Sequence, residues 1–132
     1  MGLFLADTTA LIDLSKSFEP TSSFIKQLSA AGEDLGVSPI TIAEFYAGLT
    51  PRQYADWDEF FASLTFCPIS FEASIQAGKW RSSYRAQGIQ LSTADTLIAA
   101  VAAALGAVVL TSNVKHYPMQ VRLLDPRAPH NP

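Results

Sequence analysis

The amino-acid sequence predicts an α/β domain whose central sheet, mostly parallel and of four to five strands, has helices on both faces. Short apolar runs alternate along the chain with longer segments of helical periodicity, which is the pattern of parallel strands joined by helices. The chain has 132 residues, of which 48% are hydrophobic and 16% charged. This size and composition predict one domain over residues 1–132 with a full core, and they exclude a disordered protein.

The predicted strands are short and mostly apolar. Residues 3–6 are apolar throughout, as expected of a strand that is buried on both faces of a sheet. Residues 97–110 are apolar except for Gly106, a run too short to cross a bilayer and long enough for a buried helix that leads into a buried strand. The five predicted strands cover residues 3–6, 35–38, 66–69, 107–111 and 121–124.

The helices are predicted from capping residues and from the spacing of apolar side chains. Thr8 and Thr9 can cap the first helix, and a glycine follows the second, fifth and sixth helices, which is typical of helix C-termini. Aromatic and aliphatic side chains recur at spacings of three and four in the fourth helix, at Trp57, Phe60, Phe61 and Leu64. The predicted helices cover residues 10–16, 22–31, 41–49, 53–64, 72–87 and 92–105, and residues 127–132 are expected to be loosely ordered.

Charge and cysteine content exclude some classes of protein. The net charge of −3 argues against a histone-like protein that binds nucleic acid with its whole surface. Cys67 is a single cysteine, so it forms neither an internal disulfide nor a cysteine-based zinc site, and a reducing compartment is expected. The first six residues lack a basic leader, so we expect a strand rather than a signal peptide and a cytoplasmic protein without membrane association.

Three acidic side chains and one amide are predicted to lie near the carboxyl ends of the strands. Asp7 ends the first strand, Glu44 lies in the helix after the second, Asp95 opens the sixth helix, and Asn113 follows the fourth strand. The carboxyl ends of parallel strands meet at one edge of a sheet. Crowded carboxylates repel one another unless a cation neutralises them, and oxygen ligands suit Mg²⁺ or Mn²⁺. The sequence therefore predicts an acidic metal site at this edge.

A purely structural role for these acids remains open at this point. Glu44 follows Thr41, and Asp95 follows Ser92, by three residues, which is the spacing of the capping box at helix N-termini. Asp7 has no such partner before it but can itself cap the next helix. Asp13 lies on that first helix and is expected to be solvated or to lie around the site.

Four segments of the chain resemble the motifs of PIN domains. They occur in the family's order and contain Asp7, Glu44, Asp95 and Asn113, respectively, within residues 5–12, 38–45, 94–100 and 110–117. The resemblance extends from residue 3 to about residue 124. The length and the set of motifs most resemble the VapC toxins of bacterial and archaeal type II toxin–antitoxin modules. Each motif alone is weak, but four in this order and spacing are specific.

The resemblance implies a metal-dependent endoribonuclease with a PIN-like three-layer fold. It implies that Asp7, Glu44 and Asp95 bind Mg²⁺, with Mn²⁺ as an alternative, and that these acids and Asn113 are catalytic. Many members have an acid in place of Asn113, so the number of metal ions is left open. Around these ligands, Thr8 and Thr111 are expected to contribute hydroxyl contacts. The implied substrate is structured RNA such as tRNA or rRNA.

Several partners are implied as well. The resemblance implies a cognate VapB-type antitoxin, a homodimer and a larger toxin–antitoxin assembly. The antitoxin is expected to insert an Arg or Lys into the acidic pocket and to lie in a hydrophobic groove, whose predicted walls are the helices at residues 41–49 and 53–64. Four basic side chains are candidates for binding RNA phosphates: Lys79, Arg81, Arg85 and Lys115. The alternative is that they form a solvated face. His116 is a further candidate for contact with the substrate.

Two other classes of function were compared with this one. A PIN-like module that binds RNA or protein without cleavage is favoured by the neutral Asn113 and disfavoured by the three retained acids. A phosphotransfer receiver has a similar sheet but requires a phosphoacceptor Asp after the third strand. Residues 66–70 contain no Asp, so we exclude the receiver.

Overall fold

The computed structural model describes residues 2–128 and contains one parallel sheet of five strands in the order β3-β2-β1-β4-β5. The strands are β1 (Leu3–Ala6), β2 (Asp34–Val37), β3 (Thr65–Phe66), β4 (Val108–Leu110) and β5 (Arg122–Leu124). The helices are α1 (Thr8–Ser15), α2 (Thr21–Ala30), α3 (Pro39–Ala47), α4 (Tyr54–Ala62), α5 (Phe71–Ala86) and α6 (Thr93–Leu105), with 3₁₀ turns at Pro51–Gln53 and Val114–His116. The predicted α/β class with a parallel sheet is confirmed.

Two apolar clusters, one on each face of the sheet, form the core. Successive side chains of a strand point to opposite faces, and Leu5 and Ala6 of the central strand β1 accordingly belong to different clusters. The cluster of Leu5 includes side chains of α5 and α6, whereas the cluster of Ala6 includes side chains of α1, α2 and α3, with α4 packed against it. The molecule therefore has three layers, and its middle strand points its carboxyl end at the predicted site.

Several elements differ from their predicted bounds by one or two residues or more, and for α3 and β3 the reason is identifiable. The third helix begins at Pro39 rather than at residue 41, with Ser38 as its N-cap, because a proline is well suited to the first helical position. Strand β3 ends at Phe66, whereas residues 66–69 were predicted. Cys67 still donates its N–H to the Val37 carbonyl at 2.8 Å, but Pro68 has no N–H with which to continue the ladder.

Strand β2 approaches its neighbours too closely for a side chain at Gly36. A Cβ atom there would lie 2.8 Å from Cys67 Sγ and 3.0 Å from Leu3 Cδ1. The glycine therefore allows β2 to pack between β1 and the segment that follows β3. No helix within residues 2–128 combines the length and the apolar character that crossing a membrane requires.

The C-terminal segment corrects two expectations. Arg127 binds both oxygens of Asp13 at 2.8 Å through its Nε and Nη2 atoms, and its guanidinium lies 4.7 Å from the Phe18 ring centroid. Arg127 is thus held in place rather than loosely ordered; the rest of the predicted tail from residue 129 lies outside the described residues. Asp13 is only 4% exposed and accepts a further bond from Thr21, so the expectation of a solvated or site-associated acid was wrong.

Candidate active site

The predicted acids line one pocket at the carboxyl edge of the sheet. The pocket has a volume of about 380 Å³, and among the side chains that line it are Asp7, Thr8, Glu44, Asp95, Asn113 and His116. Its residues come from the end of β1, the middle of α3, the first turn of α6 and the loop after β4. The structure therefore brings together all four residues that were predicted to be catalytic. Their catalytic role stays a prediction.

Asp7 is the buried carboxylate of the pocket, with 4% of its surface exposed. Its backbone N–H donates to the Leu110 carbonyl at 3.0 Å, which joins the end of β1 to the end of β4. Its Oδ1 atom accepts from the Ala10 N–H at 3.1 Å and from Thr9 Oγ1 at 2.6 Å. Asp7 is thus the N-cap of α1, which confirms the alternative that Asp7 itself caps this helix, whereas capping by Thr8 or Thr9 was wrong.

Burial raises the pKa of Asp7 above its ordinary value, and the negative charge of Asp95 raises it further. Hydrogen bonds from Thr111, from Thr9 and from the Ala10 backbone act in the opposite direction. A buried carboxylate that faces a second acid favours a nearby positive charge. The local electrostatics therefore suit a cation.

Asp95 combines a capped helix start with a carboxylate that faces the pocket. Ser92 caps α6 by accepting from the Asp95 N–H at 3.0 Å, as the capping pattern predicts. The carboxylate oxygens make separate contacts: Oδ1 lies 3.4 Å from the Tyr117 hydroxyl, and Oδ2 lies 3.4 Å from His116 Nδ1. Capping therefore explains where the helix starts, and it leaves the acidic side chain directed at the site.

Glu44 lies inside α3 rather than at its start. Because α3 begins at Pro39, the capping-box interpretation of Thr41 and Glu44 was wrong. Glu44 is exposed to solvent, and its Oε1 atom accepts a hydrogen bond of 2.6 Å from Thr8 Oγ1. The predicted contribution of the Thr8 hydroxyl is therefore a contact with this acid.

The loop after β4 places Asn113 in the pocket. Its backbone N–H donates to Thr111 Oγ1 at 3.0 Å, and Thr111 is fully buried. Ser112 donates its N–H to Thr9 Oγ1 at 3.4 Å, which connects this loop to the start of α1. These bonds leave the Asn113 side chain among the groups that line the pocket.

Tyr117 was not predicted as a site residue, although its hydroxyl lies between two of the acids. It is 3.4 Å from Asp7 Oδ2 and 3.4 Å from Asp95 Oδ1. Burial, then the charges of Asp7 and Asp95, raise the pKa of Tyr117 well above its ordinary value. The phenol therefore stays protonated and can act as a donor to the carboxylates.

The donor set fits a hydrated hard cation. Within residues 2–128, no three His, Cys, Asp or Glu side chains lie close enough to enclose an ion by themselves. Mg²⁺ commonly uses only one or two protein carboxylates and keeps several water molecules. Asp7 and Asp95 suit direct ligation, because both lie beside the same hydroxyl. Glu44 and Asn113 supply further oxygen atoms that can accept hydrogen bonds from bound water.

The candidate RNA-binding residues differ in their positions. Lys115 lies in a cleft of about 220 Å³ that also includes Asp95 and His116, so it borders the acidic pocket. Arg81 is half-buried and donates from Nε to the Leu91 carbonyl at 3.1 Å, a contact that connects α5 to the segment before α6. Lys79 and Arg85 are exposed on α5. RNA binding by these residues stays a prediction.

Comparison with known proteins establishes the family. The PIN domain model matches residues 4–119, and the chain therefore belongs to the PIN domain family. It is 28% identical over 122 residues to Ribonuclease VapC19 of Mycobacterium tuberculosis, an alignment that covers 92% of this chain and 98% of that protein.

Solved structures share the fold. One such structure is VapBC2 of Rickettsia felis bound to a DNA fragment from its promoter. A chain of it superposes on this protein with a TM-score of 0.79 and 21% identity, and the alignment covers 92% of this chain and 96% of that one. VapC20 of Mycobacterium tuberculosis, a sarcin-ricin loop cleaving toxin, gives a TM-score of 0.65 at 15% identity over 90% and 98% of the respective chains. The resemblance to PIN domains in the sequence is confirmed, including the three-layer arrangement.

Proposed function

We propose that this protein is a VapC-type endoribonuclease toxin that hydrolyses phosphodiester bonds in structured RNA, with Mg²⁺ or Mn²⁺ as its cofactor. The observation that carries the proposal is the juxtaposition of Asp7 and Asp95 beside one hydroxyl oxygen, in a pocket that also contains Glu44 and Asn113. The similarity to Ribonuclease VapC19 supports the ribonuclease activity. VapC20, which shares the fold, is a sarcin-ricin loop cleaving toxin and supports rRNA as a substrate class, with tRNA as the alternative.

The three acids of the pocket have distinct roles in this mechanism. A divalent ion supplies positive charge for the phosphoryl oxygens and acidifies water. Asp7, fixed by Thr9 and the Ala10 N–H, and Asp95 would hold the ion. Glu44, exposed and held by Thr8, would orient the attacking water and accept its proton.

Two further side chains would contact the water or the substrate. Asn113 would orient a water molecule through its side-chain amide without adding charge to the pocket. Lys115, at the pocket border, would bind a neighbouring phosphate of the RNA.

We also propose a VapB-type antitoxin as partner. A groove of about 650 Å³ runs between α1, α2, β2 and α4, and its apolar lining includes Leu14, Ile25, Leu35, Trp57, Phe60 and Leu64. A second cleft, of about 400 Å³, includes Trp57, Phe45 and Glu44. Trp57 thus contributes to both clefts, and Glu44 contributes to the second cleft and to the acidic pocket.

An apolar segment of the antitoxin that lay along these two clefts would bring a basic side chain to the acids of the pocket. Helix α4 forms a wall of both clefts, as predicted, while α3 lines the smaller one. A homodimer, a larger toxin–antitoxin assembly and a cytoplasmic location belong to this proposal.

Substitution of the paired acids tests the proposed activity. Asp7→Asn and Asp95→Asn should each reduce RNA cleavage at least a hundredfold, because loss of a charged ligand removes several kcal/mol of transition-state stabilisation. Circular dichroism should show an intact fold, since Asn retains the capping ability of Asp7. Asp56→Asn, on the exposed face of α4, is the matched control. Chelation of the metal should stop cleavage by the wild-type protein.

The outcome separates the two functions that the sequence left open. Cleavage by both variants at the wild-type rate, with Mg²⁺ and Mn²⁺ supplied, would contradict the proposed site. If the wild-type protein bound RNA and never cut it with either metal, the non-cleaving binding module would replace the proposed nuclease.

A further inference from the structure

Tyr117 extends from the apolar core into the acidic pocket. Its side chain is 3% exposed and belongs to the core cluster formed with α5 and α6. The residue follows the 3₁₀ turn Val114–His116, and its N–H donates to the Val114 carbonyl at 3.1 Å. Packing of the ring therefore fixes where the hydroxyl lies, and the hydroxyl lies between Asp7 and Asp95.

We infer that Tyr117 is a positioning residue whose hydroxyl orients the carboxylates of Asp7 and Asp95 before the cation binds, and thereby sets the metal affinity of the site. The inference rests on the proposed function, because it concerns the metal proposed for the same pocket. It assigns the hydroxyl no contact with the metal or with the substrate.

The contacts of each carboxylate support this role. Asp7 Oδ1 is held by Thr9 and the Ala10 N–H, while Oδ2 faces Tyr117. Asp95 Oδ2 faces His116, while Oδ1 faces Tyr117. Each acid thus has a separate partner for its other oxygen and shares Tyr117 with the opposite acid. The hydroxyl has one proton and donates to one acid at a time, and rotation of either carboxylate would move both of its oxygens away from these neighbours.

The shared hydroxyl leaves the acids able to bind a cation. A carboxylate oxygen has two lone pairs, so an oxygen that accepts from a phenol keeps a lone pair for a metal. The phenol is neutral, and it carries one proton for two acceptors, so it cannot neutralise either acid as a lysine or arginine would. Ligands that are already oriented lose less conformational freedom on binding. The hydroxyl therefore favours metal binding through the geometry of the acids.

Tyr117→Phe tests the inference because it removes the hydroxyl and retains the ring in the core. Mn²⁺ binding to the free protein, measured by electron paramagnetic resonance without RNA, should weaken about threefold to tenfold, the higher figure corresponding to ~1.4 kcal/mol. The control is Tyr84→Phe, since Tyr84 packs partly buried against the same core cluster. Its Mn²⁺ affinity should equal that of the wild type, and chelator-treated samples of both variants should show folded circular dichroism spectra.

Cleavage provides the second measurement. The Mn²⁺ concentration for half-maximal cleavage should rise by the same factor in Tyr117→Phe, and saturating Mn²⁺ should restore the rate to about the wild-type value. Equal Mn²⁺ affinities for wild type and Tyr117→Phe would overturn this inference and leave the proposed function standing. A wild-type protein that binds no Mn²⁺ and cleaves RNA with neither Mn²⁺ nor Mg²⁺ would overturn both. A rate that saturating Mn²⁺ fails to restore would also overturn the positioning role.

Discussion

The three acids of the pocket, which are Asp7, Glu44 and Asp95, differ in their exposure to solvent. Asp7 is buried, Asp95 is half-buried and Glu44 is exposed. Burial raises the pKa of Asp7, so its negative charge is the most costly of the three in the absence of a cation. Glu44, in contrast, is exposed to water. This difference supports ligation by Asp7 and water activation by Glu44.

Asn113 supplies a neutral amide to a pocket that also contains Asp7, Glu44 and Asp95. Asn113→Asp should tighten metal binding by about tenfold, or ~1.4 kcal/mol, because a further anion a few ångströms from the ion gains that much even at a moderate effective dielectric constant. Asn113→Ala should leave detectable but weaker cleavage, since only an orienting contact is lost. Cleavage rates measured against Mg²⁺ and Mn²⁺ concentration compare the three proteins. Superimposable metal titrations would place Asn113 outside the site.

At the scale of elements, most of the architecture could be predicted because each buried strand is a short apolar run between turn signals. The positions of Asp7 and Glu44 followed from those strands, since strand ends fix one edge of the sheet, whereas Asp95 opens α6, which follows α5 rather than a strand. The start of α3 was predicted two residues late, because Thr41 offered a capping pattern, whereas Ser38 occupies the N-cap position and Pro39 the first helical position. Glu44 lies in the pocket as expected, even though α3 starts two residues earlier than predicted.

Contacts between residues far apart in the chain could not be predicted in this way. Tyr117 meets Asp7 across 110 positions, and Arg127 meets Asp13 across 114. Neither pair has a local spacing that indicates contact. Asp13 was therefore expected to be solvated or to lie around the site, and Tyr117 was not predicted to contact the acids.

Strand β2 depends on the missing side chain of Gly36. Gly36→Ala should lower the free energy of unfolding by about 1–3 kcal/mol, because the new Cβ would overlap Cys67 Sγ and Leu3 Cδ1. The control is Gly78→Ala on α5, where a Cβ meets no atom within 4 Å and alanine favours the helix. Urea unfolding distinguishes the two, and equal effects would contradict the packing argument. Adding Cys67→Ala should recover part of the loss at Gly36.

At the scale of the whole molecule, one ion pair connects the segment after the last strand to the first helix. Hydrogen bonds from Arg127 and, to a smaller extent, from Thr21 lower the pKa of Asp13 below its ordinary value of 3.8. When folding lowers the pKa of a carboxylate, the carboxylate stabilises the folded protein fully at pH values above its unfolded-state pKa. The stabilisation is lost as the pH falls through the lower pKa of the folded state. The pair therefore contributes fully at neutral pH.

Asp13→Asn should lower the free energy of unfolding by about 1–2 kcal/mol at pH 7. The difference from the wild type should shrink as the pH falls below 3.8, because the carboxyl of the unfolded wild-type chain takes up a proton first and that of the folded protein follows at its lower pKa. Urea titrations at pH 7 and pH 3 measure both values. The exposed Asp56→Asn should show little difference at either pH. A loss of the same size at both values would contradict the ion-pair explanation.

The position of β1 in the middle of the sheet has a consequence for how the protein is made. Asp7 leaves the ribosome early, but β4, which pairs with β1, ends only at Leu110, and Asp95 and Tyr117 also come from the last third of the chain. A nascent chain that has stopped before these residues has no paired acids. On the proposed function, the chain would therefore be unable to cleave RNA until Asp95 and Tyr117 have been synthesised and folded against β1.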